Sequence, residues 1–232
     1  MKFDALFLAA HPDDVELFCG ATVAKLALAG AGIGFVDLTA GEKASNGSVE
    51  GRRKASIAAS RILGARGDRA MLGLPDAGLN GEDAAQLACL VDFLGGNPSR
   101  LLFAPWPEDR HGDHVAAGEL AKKALSHPDL DGRRPERLVF YAAHHDAPEH
   151  IYVDVTEQMQ LWRDAVACYE DQLVAAPGTT PTPINDPGFL PSQEERRRAW
   201  GRRAGCEYAE AFALEAAPVV FTPLALLGER AP

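Results

Sequence analysis

Short apolar runs alternate with segments of helical periodicity along the chain up to Ala142. Phe3–Ala10 is almost continuously apolar, which suits a strand buried on both faces and is too short for an ordinary helix. A segment reaching about Gly30 follows, with Leu17, Ala21, Ala24 and Leu28 on one helical face. The alternation continues with strands at Ile33–Thr39, Arg69–Leu74, Leu101–Pro105 and Leu138–Ala142. Helices fall between them near Arg52–Leu63, where Gly64 is the stop, at Asp83–Leu94 and at His114–Leu125. This rhythm predicts an α/β fold: a Rossmann-like, mostly parallel sheet with right-handed crossovers and helices on both faces.

Beyond Tyr141 the rhythm changes. Ile151–Val155 alternates like a strand, and Thr156 is placed to cap a helix that turns Met159, Trp162, Val166 and Tyr169 inward. The stretch Ala175–Ser192 is rich in Pro, Gly and Thr and predicts a long ordered loop or lid. A last helix near Gln193–Cys206 carries basic pairs that read as a solvated face. The expected organisation is one domain over residues 1–232, with a core at 1–145 and a smaller C-terminal α/β extension at 146–232.

Composition changes this picture little. Apolar residues make up 47% and charged residues 24% of the chain, enough to bury a core without staples. The net charge of −10 repels polyphosphate and argues against nucleic acid as the main partner. Cys19, Cys89, Cys168 and Cys206 form no C-x-x-C pair and read as reduced core thiols. The opening FDALFLAAHPDD turns acidic too soon for a signal peptide. No segment reaches the roughly 18 apolar residues of a membrane span. A cytoplasmic protein with no membrane partner is expected.

The chemistry collects after the predicted strands, where an open parallel sheet binds its ligands. His11 and Asp14 stand three residues apart where a strand becomes a helix, and His114 begins another helix. Two histidines and a carboxylate form a catalytic zinc set with one position left open, although iron(II) takes a similar set. Asp13 points away from its neighbour and is free to accept a proton from an attacking water. His111 and Asp113 suit an imidazole–carboxylate pair, with Asp113 orienting His111 to stabilise a tetrahedral species. Glu42, Asn46 and Asp76 follow the second and third strands and add candidate substrate contacts.

Blander alternatives stand beside these. Asp13 with Glu16 could be a capping box, and Asp113 the N-cap of the His114 helix. Cys19 reads as core packing. His144-His145-Asp146 could be a second metal site or simply loop residues. Arg52 near a helix start opposes the helix dipole, which favours a ligand-binding role. A non-catalytic nucleotide- or sugar-binding module would need a G-x-G-x-x-G turn after the first strand, and HPDDVELFCG stands there instead.

AAHPDD at Ala9–Asp14 and RHGDH at Arg110–His114 resemble the two signature motifs of the LmbE-like deacetylases, the family of the phosphatidylinositol-glucosamine de-N-acetylases. LPDAGL at Leu74–Leu79 is a further family match, while the SNGSV of Ser45–Arg52 and the YAEAF of Gly201–Phe212 look most like the bacillithiol-biosynthesis branch. The resemblance implies zinc on His11, Asp14 and His114, Asp13 as general base, and His111 with Asp113 as the imidazole–carboxylate pair. It places Arg52 at the acidic aglycone and Asp76 at the sugar hydroxyls. It implies removal of the N-acetyl group from an N-acetylglucosamine conjugate, N-acetyl-glucosaminyl malate being the closest, and a homo-oligomer, often a hexamer. An amidase acting on a glucosamine thiol conjugate is the nearest rival. Ala55-Ser56 and Gly112 depart from the family pattern, and the first leaves the substrate more open than the chemistry.

Overall fold

The computed structural model describes residues 2–65, 69–174 and 181–215. Seven strands form one sheet: β1 (Phe3–Ala9), β2 (Ile33–Thr39), β3 (Arg69–Leu74), β4 (Ser99–Pro105), β5 (Arg137–Tyr141), β6 (Ile151–Asp154) and β7 (Ala209–Leu214). Their order is β3-β2-β1-β4-β5-β7-β6. The first five strands run parallel, and β7 is antiparallel to both of its neighbours. The helices are α1 (Asp14–Leu28), α2 (Val49–Ile62), α3 (Ala84–Gly96), α4 (Gly112–Leu125), α5 (Met159–Ala167), α6 (Glu170–Leu173) and α7 (Phe189–Ala204).

The period of two along β1 explains why its run is continuously apolar. Ala5, Phe7 and Ala9 pack into the layer that holds α1 and α5. Leu6 and Leu8 pack into the opposite layer with α3 and α4. Each large side chain fully buried in this way contributes roughly 1.5–3 kcal/mol. Helix starts are set locally. Ser48 Oγ accepts the Gly51 N–H at 3.0 Å to begin α2, and Asp83 Oδ1 accepts from Ala85 and Gln86 to begin α3.

Strand order reverses between β1 and β4, so the connections leaving their carboxyl ends diverge and open a crevice. The predicted core is therefore present and places the expected loops together. Three features differ from expectation. Strand β7 has no counterpart in the sequence pattern: Ala209, Ala211 and Ala213 carry no strand preference, and Glu210 reads as a solvent-facing residue. Helix α7 begins at Phe189, inside the segment expected to be loop, while residues 175–180 lie outside the described residues. The basic face of α7 is not wholly solvated, because Arg197 is 1% exposed and forms an ion pair with Glu210 at 2.7 Å.

That ion pair serves α1. At Cys19 the helix kinks, with φ −146° and ψ 18°. The amides of Ala21 and Thr22 donate to the Glu210 carboxylate at 3.3 and 2.7 Å. Arg197 donates to the Leu17 carbonyl at 2.9 Å, and Trp162 Nε1 donates to the Glu16 carbonyl at 3.0 Å. The C-terminal extension thus satisfies the backbone groups around the kink. Of the cysteines expected in the core, only Cys19 is fully buried; the other three are partly exposed, and all four are free. No helix among the described residues is long and apolar enough to cross a membrane.

Candidate active site

A cleft of about 560 Å³ opens at the carboxyl ends of β1 and β4 and is lined by His11, Asp13, Asp14, His111 and His114. That volume suits a small ligand. A larger cavity, about 1200 Å³, lies at the amino ends of the strands, and its lining contains no acid, histidine or cysteine among the described residues. The chemistry therefore belongs to the smaller one.

His11 leaves β1 on a turn whose amide donates to Asp14 Oδ2 at 2.8 Å. Its Nδ1 stands 3.6 Å from that same oxygen. His114, in the first turn of α4, brings Nε2 to 3.2 Å from Asp14 Oδ1. These three residues offer ligand atoms that all lie within 4.8 Å of one another, a set able to hold a metal ion. The far nitrogens face carboxylates. His11 Nε2 stands 3.2 Å from Asp113 Oδ2 and 3.3 Å from Asp76 Oδ1. A second possible set, His11 with His111 and Asp113, shares the His11 imidazole with the first.

Asp13 occupies the N-cap position of α1, but its side chain makes no capping hydrogen bond. Glu16 does not complete a capping box either, since its carboxylate is ion-paired with Arg69. Asp13 is 2% exposed, and its Oδ2 has no hydrogen-bond partner among the described residues. The Arg52 guanidinium stands 3.8 Å from it. Burial pushes the Asp13 carboxyl above its ordinary value against the pull of Arg52. An acid buried beside a set able to hold a metal, without a structural bond to make, has its oxygens available to a ligand.

The expected pairing of His111 with Asp113 is not what the structure shows. Asp113 gives its carboxylate to His11 and to the amides of Ala77 at 2.7 Å and Leu79 at 3.2 Å. It therefore backs His11 and ties down the turn after β3. His111 is itself the N-cap of α4: its Nδ1 accepts the Asp113 amide at 3.3 Å. Asp113 is accordingly not the cap. With Nδ1 engaged, His111 keeps Nε2 for a ligand, and burial together with the neighbouring imidazoles lowers its pKa.

The outer residues divide. Asp76 lines the cleft, accepts the Lys43 amide at 2.7 Å, and has its carboxyl held at about 2 by His11. Asn46 is buried and lines the cleft, with its Oδ1 unpartnered among the described residues. Glu42 departs from expectation: it is exposed, outside the cleft lining, and uses a carboxylate oxygen to accept the Asp76 amide at 2.8 Å. It supports the wall rather than facing a ligand.

Arg52 lies one turn inside α2, because Ser48 rather than Arg52 starts the helix. Its guanidinium bonds Gln172, which in turn donates to the Asn46 carbonyl at 2.6 Å. Gly41, at φ 65°, lets the chain pass beneath it, since a Cβ there would collide with the guanidinium. Sequence reasoning does not find Gln172 and gives His144 too little weight. Gln172 sits in the extension with no motif around it, and His144 lines the cleft while His145 is exposed.

A family model described as GlcNAc-PI de-N-acetylase (PIG-L) matches residues 6–125, which run from β1 through α4. The Escherichia coli (strain K12) protein YaiS, an uncharacterized deacetylase, is 33% identical over 124 residues, covering 51% of this chain and 66% of that protein. The chain thus spans a little under two thirds of that relative. The crystal structure of the conserved protein TT1542 from Thermus thermophilus superposes with a TM-score of 0.85 at 36% identity, covering 99% of this chain and 100% of the other. The N,N'-diacetylchitobiose deacetylase from Pyrococcus horikoshii, in complex with an inhibitor, gives a TM-score of 0.77 at 24% identity, covering 97% and 89%. The latter likeness is one of fold.

Proposed function

The chain belongs to the GlcNAc-PI de-N-acetylase (PIG-L) family, and on that premise we propose that it is a metal-dependent hydrolase removing the N-acetyl group from an N-acetylglucosamine conjugate. The observation that carries this reading is the buried Asp13 carboxylate, whose Oδ2 has no hydrogen-bond partner among the described residues, beside His11, Asp14 and His114. The donor set fits a divalent cation of the zinc or iron(II) type, with two imidazoles and one carboxylate. When bound there, the ion supplies Lewis acidity at the acetamide oxygen and makes water more acidic.

The chain's own residues supply the rest. Asp13, raised by burial, takes the proton of the attacking water. His111, with Nε2 facing the cleft, donates a hydrogen bond to the oxygen that gains charge as the tetrahedral species forms. The proton then passes to the amine as the carbon–nitrogen bond breaks, releasing acetate and a glucosamine. Asp76 and Asn46 are placed to orient the sugar hydroxyls. Lys43, Arg52 and Arg110 line the cleft of a chain whose net charge is −10. These three cations are partners for an acidic aglycone, and N-acetyl-glucosaminyl malate is the preferred conjugate. Residues 1–145 form the proposed catalytic core and 146–232 the supporting extension. A cytoplasmic homo-oligomer is the proposed working form.

Acetate release from a panel of N-acetylglucosamine conjugates, with and without chelator, tests the reading. The expected result is chelator-sensitive release, fastest for the acidic conjugate. Release only from a thiol conjugate's larger amide would favour the amidase rival, and chelator-resistant release would contradict the metal's role.

Protons should compete with the cation. Burial alone would lower His114, but Asp14 and Asp109 outweigh it and raise the imidazole to about 9. His11 is likewise raised, burial being outweighed by Asp113, Asp14 and Asp76. Below these values a cation must displace a proton from each ring, so affinity rises with pH. Each displaced proton is worth a factor of about ten per pH unit. Zinc competition against a chromophoric chelator should therefore show binding at least about tenfold weaker at pH 6.5 than at pH 7.5. Equal affinity at both would contradict these proton positions.

A further inference from the structure

We propose that Asp109 is a positioning residue: one buried carboxylate selects the ring tautomer of His114 and holds the turn after β5 against the cleft. The proposal rests on His114 being a metal ligand, as above, and adds what sets that imidazole in place.

Asp109 lies in the connection between β4 and α4, and its side chain is 0% exposed. Oδ1 accepts the His111 amide at 2.9 Å and stands 3.4 Å from His114 Nδ1. That ring nitrogen makes no full hydrogen bond among the described residues, and Asp109 Oδ1 is the carboxylate oxygen that faces it. Oδ2 accepts the amides of His144 at 2.9 Å and His145 at 3.2 Å. Every group facing this carboxylate is an N–H or a ring nitrogen able to carry a proton, so the site calls for a residue that only accepts. An acceptor at Nδ1 draws the proton there and leaves the Nε2 lone pair facing Asp14 and the metal position.

The second oxygen reaches the substrate side. His144 lines the cleft, and its ring lies parallel to that of His114, with centroids 5.2 Å apart and 7° between planes. The carboxylate that orients the ligand therefore also anchors the turn presenting this wall. His11 has Asp113 in the equivalent place, so both imidazoles of the set are backed by an acid. Asp109→Asn is the informative change, because either amide orientation sets an NH₂ against existing donors.

Zinc alone, titrated against a chromophoric chelator, is the first probe. Wild type should bind, and Asp109→Asn should bind about 10–100-fold more weakly, with a raised KM. Long-range proton–nitrogen NMR on the zinc-loaded wild-type chain with ¹⁵N-labelled histidine is the second, and it needs no variant. It should find the proton of the His114 ring on Nδ1. Unchanged zinc affinity in Asp109→Asn, or a His114 proton on Nε2, would overturn the proposal; if the variant does not fold, the NMR result decides. Wild type that binds no zinc at all would remove the metal reading itself, and this proposal with it.

Discussion

Replacing Asp13 by Asn is expected to lower kcat by about 10²–10⁴-fold, the usual contribution of a positioned acid or base, while leaving the metal in place. The two side chains have nearly the same shape, so the cleft should keep its form. What is lost is the capacity to accept a proton. Asp13 is outside the proposed metal-binding set of His11, Asp14 and His114, so metal content should match wild type. It makes no capping bond to α1, and the roughly 1 kcal/mol that a cap is worth is not at stake. KM should change little, since the carboxylate acts on water rather than on the sugar. Steady-state kinetics with metal analysis on the same sample checks this. Wild-type turnover in Asp13→Asn would end the assignment of Asp13 as base, whereas a loss of metal would mean that it is a ligand.

The largest effect on stability is expected at Glu210. Glu210 and Arg197 are each 1% exposed and joined at 2.7 Å, so truncating one strands the other charge in the core. Glu210→Ala should cost about 3–5 kcal/mol, the range for breaking a buried pair. A further distinction follows from what the pair binds. In many proteins, exchanging both partners of a buried ion pair for apolar residues is neutral or better. Here Glu210 also holds the amides of Ala21 and Thr22, and Arg197 holds the Leu17 carbonyl. Each buried backbone group left unpaired costs about 1–3 kcal/mol. Arg197→Met with Glu210→Met should therefore remain destabilised by more than about 2 kcal/mol. Denaturant unfolding of the single and double variants reads this directly. A double variant as stable as wild type would show that the kink in α1 needs no such support.

The parallel core was legible in the sequence because strands buried on both faces write a simple code. Phe3–Ala9 is apolar throughout for two layers, and Asp83 stands where a helix must be capped. The clustering of His11, Asp14 and His114 was legible for a related reason: they follow adjacent strands β1 and β4, where topology brings together side chains able to hold a metal. Three kinds of information were not. The alanines of β7 carry no strand signal, and Glu210 is buried with its carboxylate met by Arg197 and by the distant amides of Ala21 and Thr22. Partner choice within a cluster was also hidden. Asp113 lies two residues from His111 yet serves His11, since the α4 start turns its carboxylate toward β1. Residues acting across long separations, such as Gln172 on Arg52, leave no spacing to read.

All of the chemistry depends on one cation being shared between the end of β1 and the start of α4. Anomalous diffraction at the zinc edge, from crystals of the zinc-loaded chain, tests this most directly. A single strong peak among His11, Asp14 and His114, lost in Asp14→Ala, is the predicted result. A peak elsewhere, or none at these three side chains while the protein still releases acetate, would contradict it.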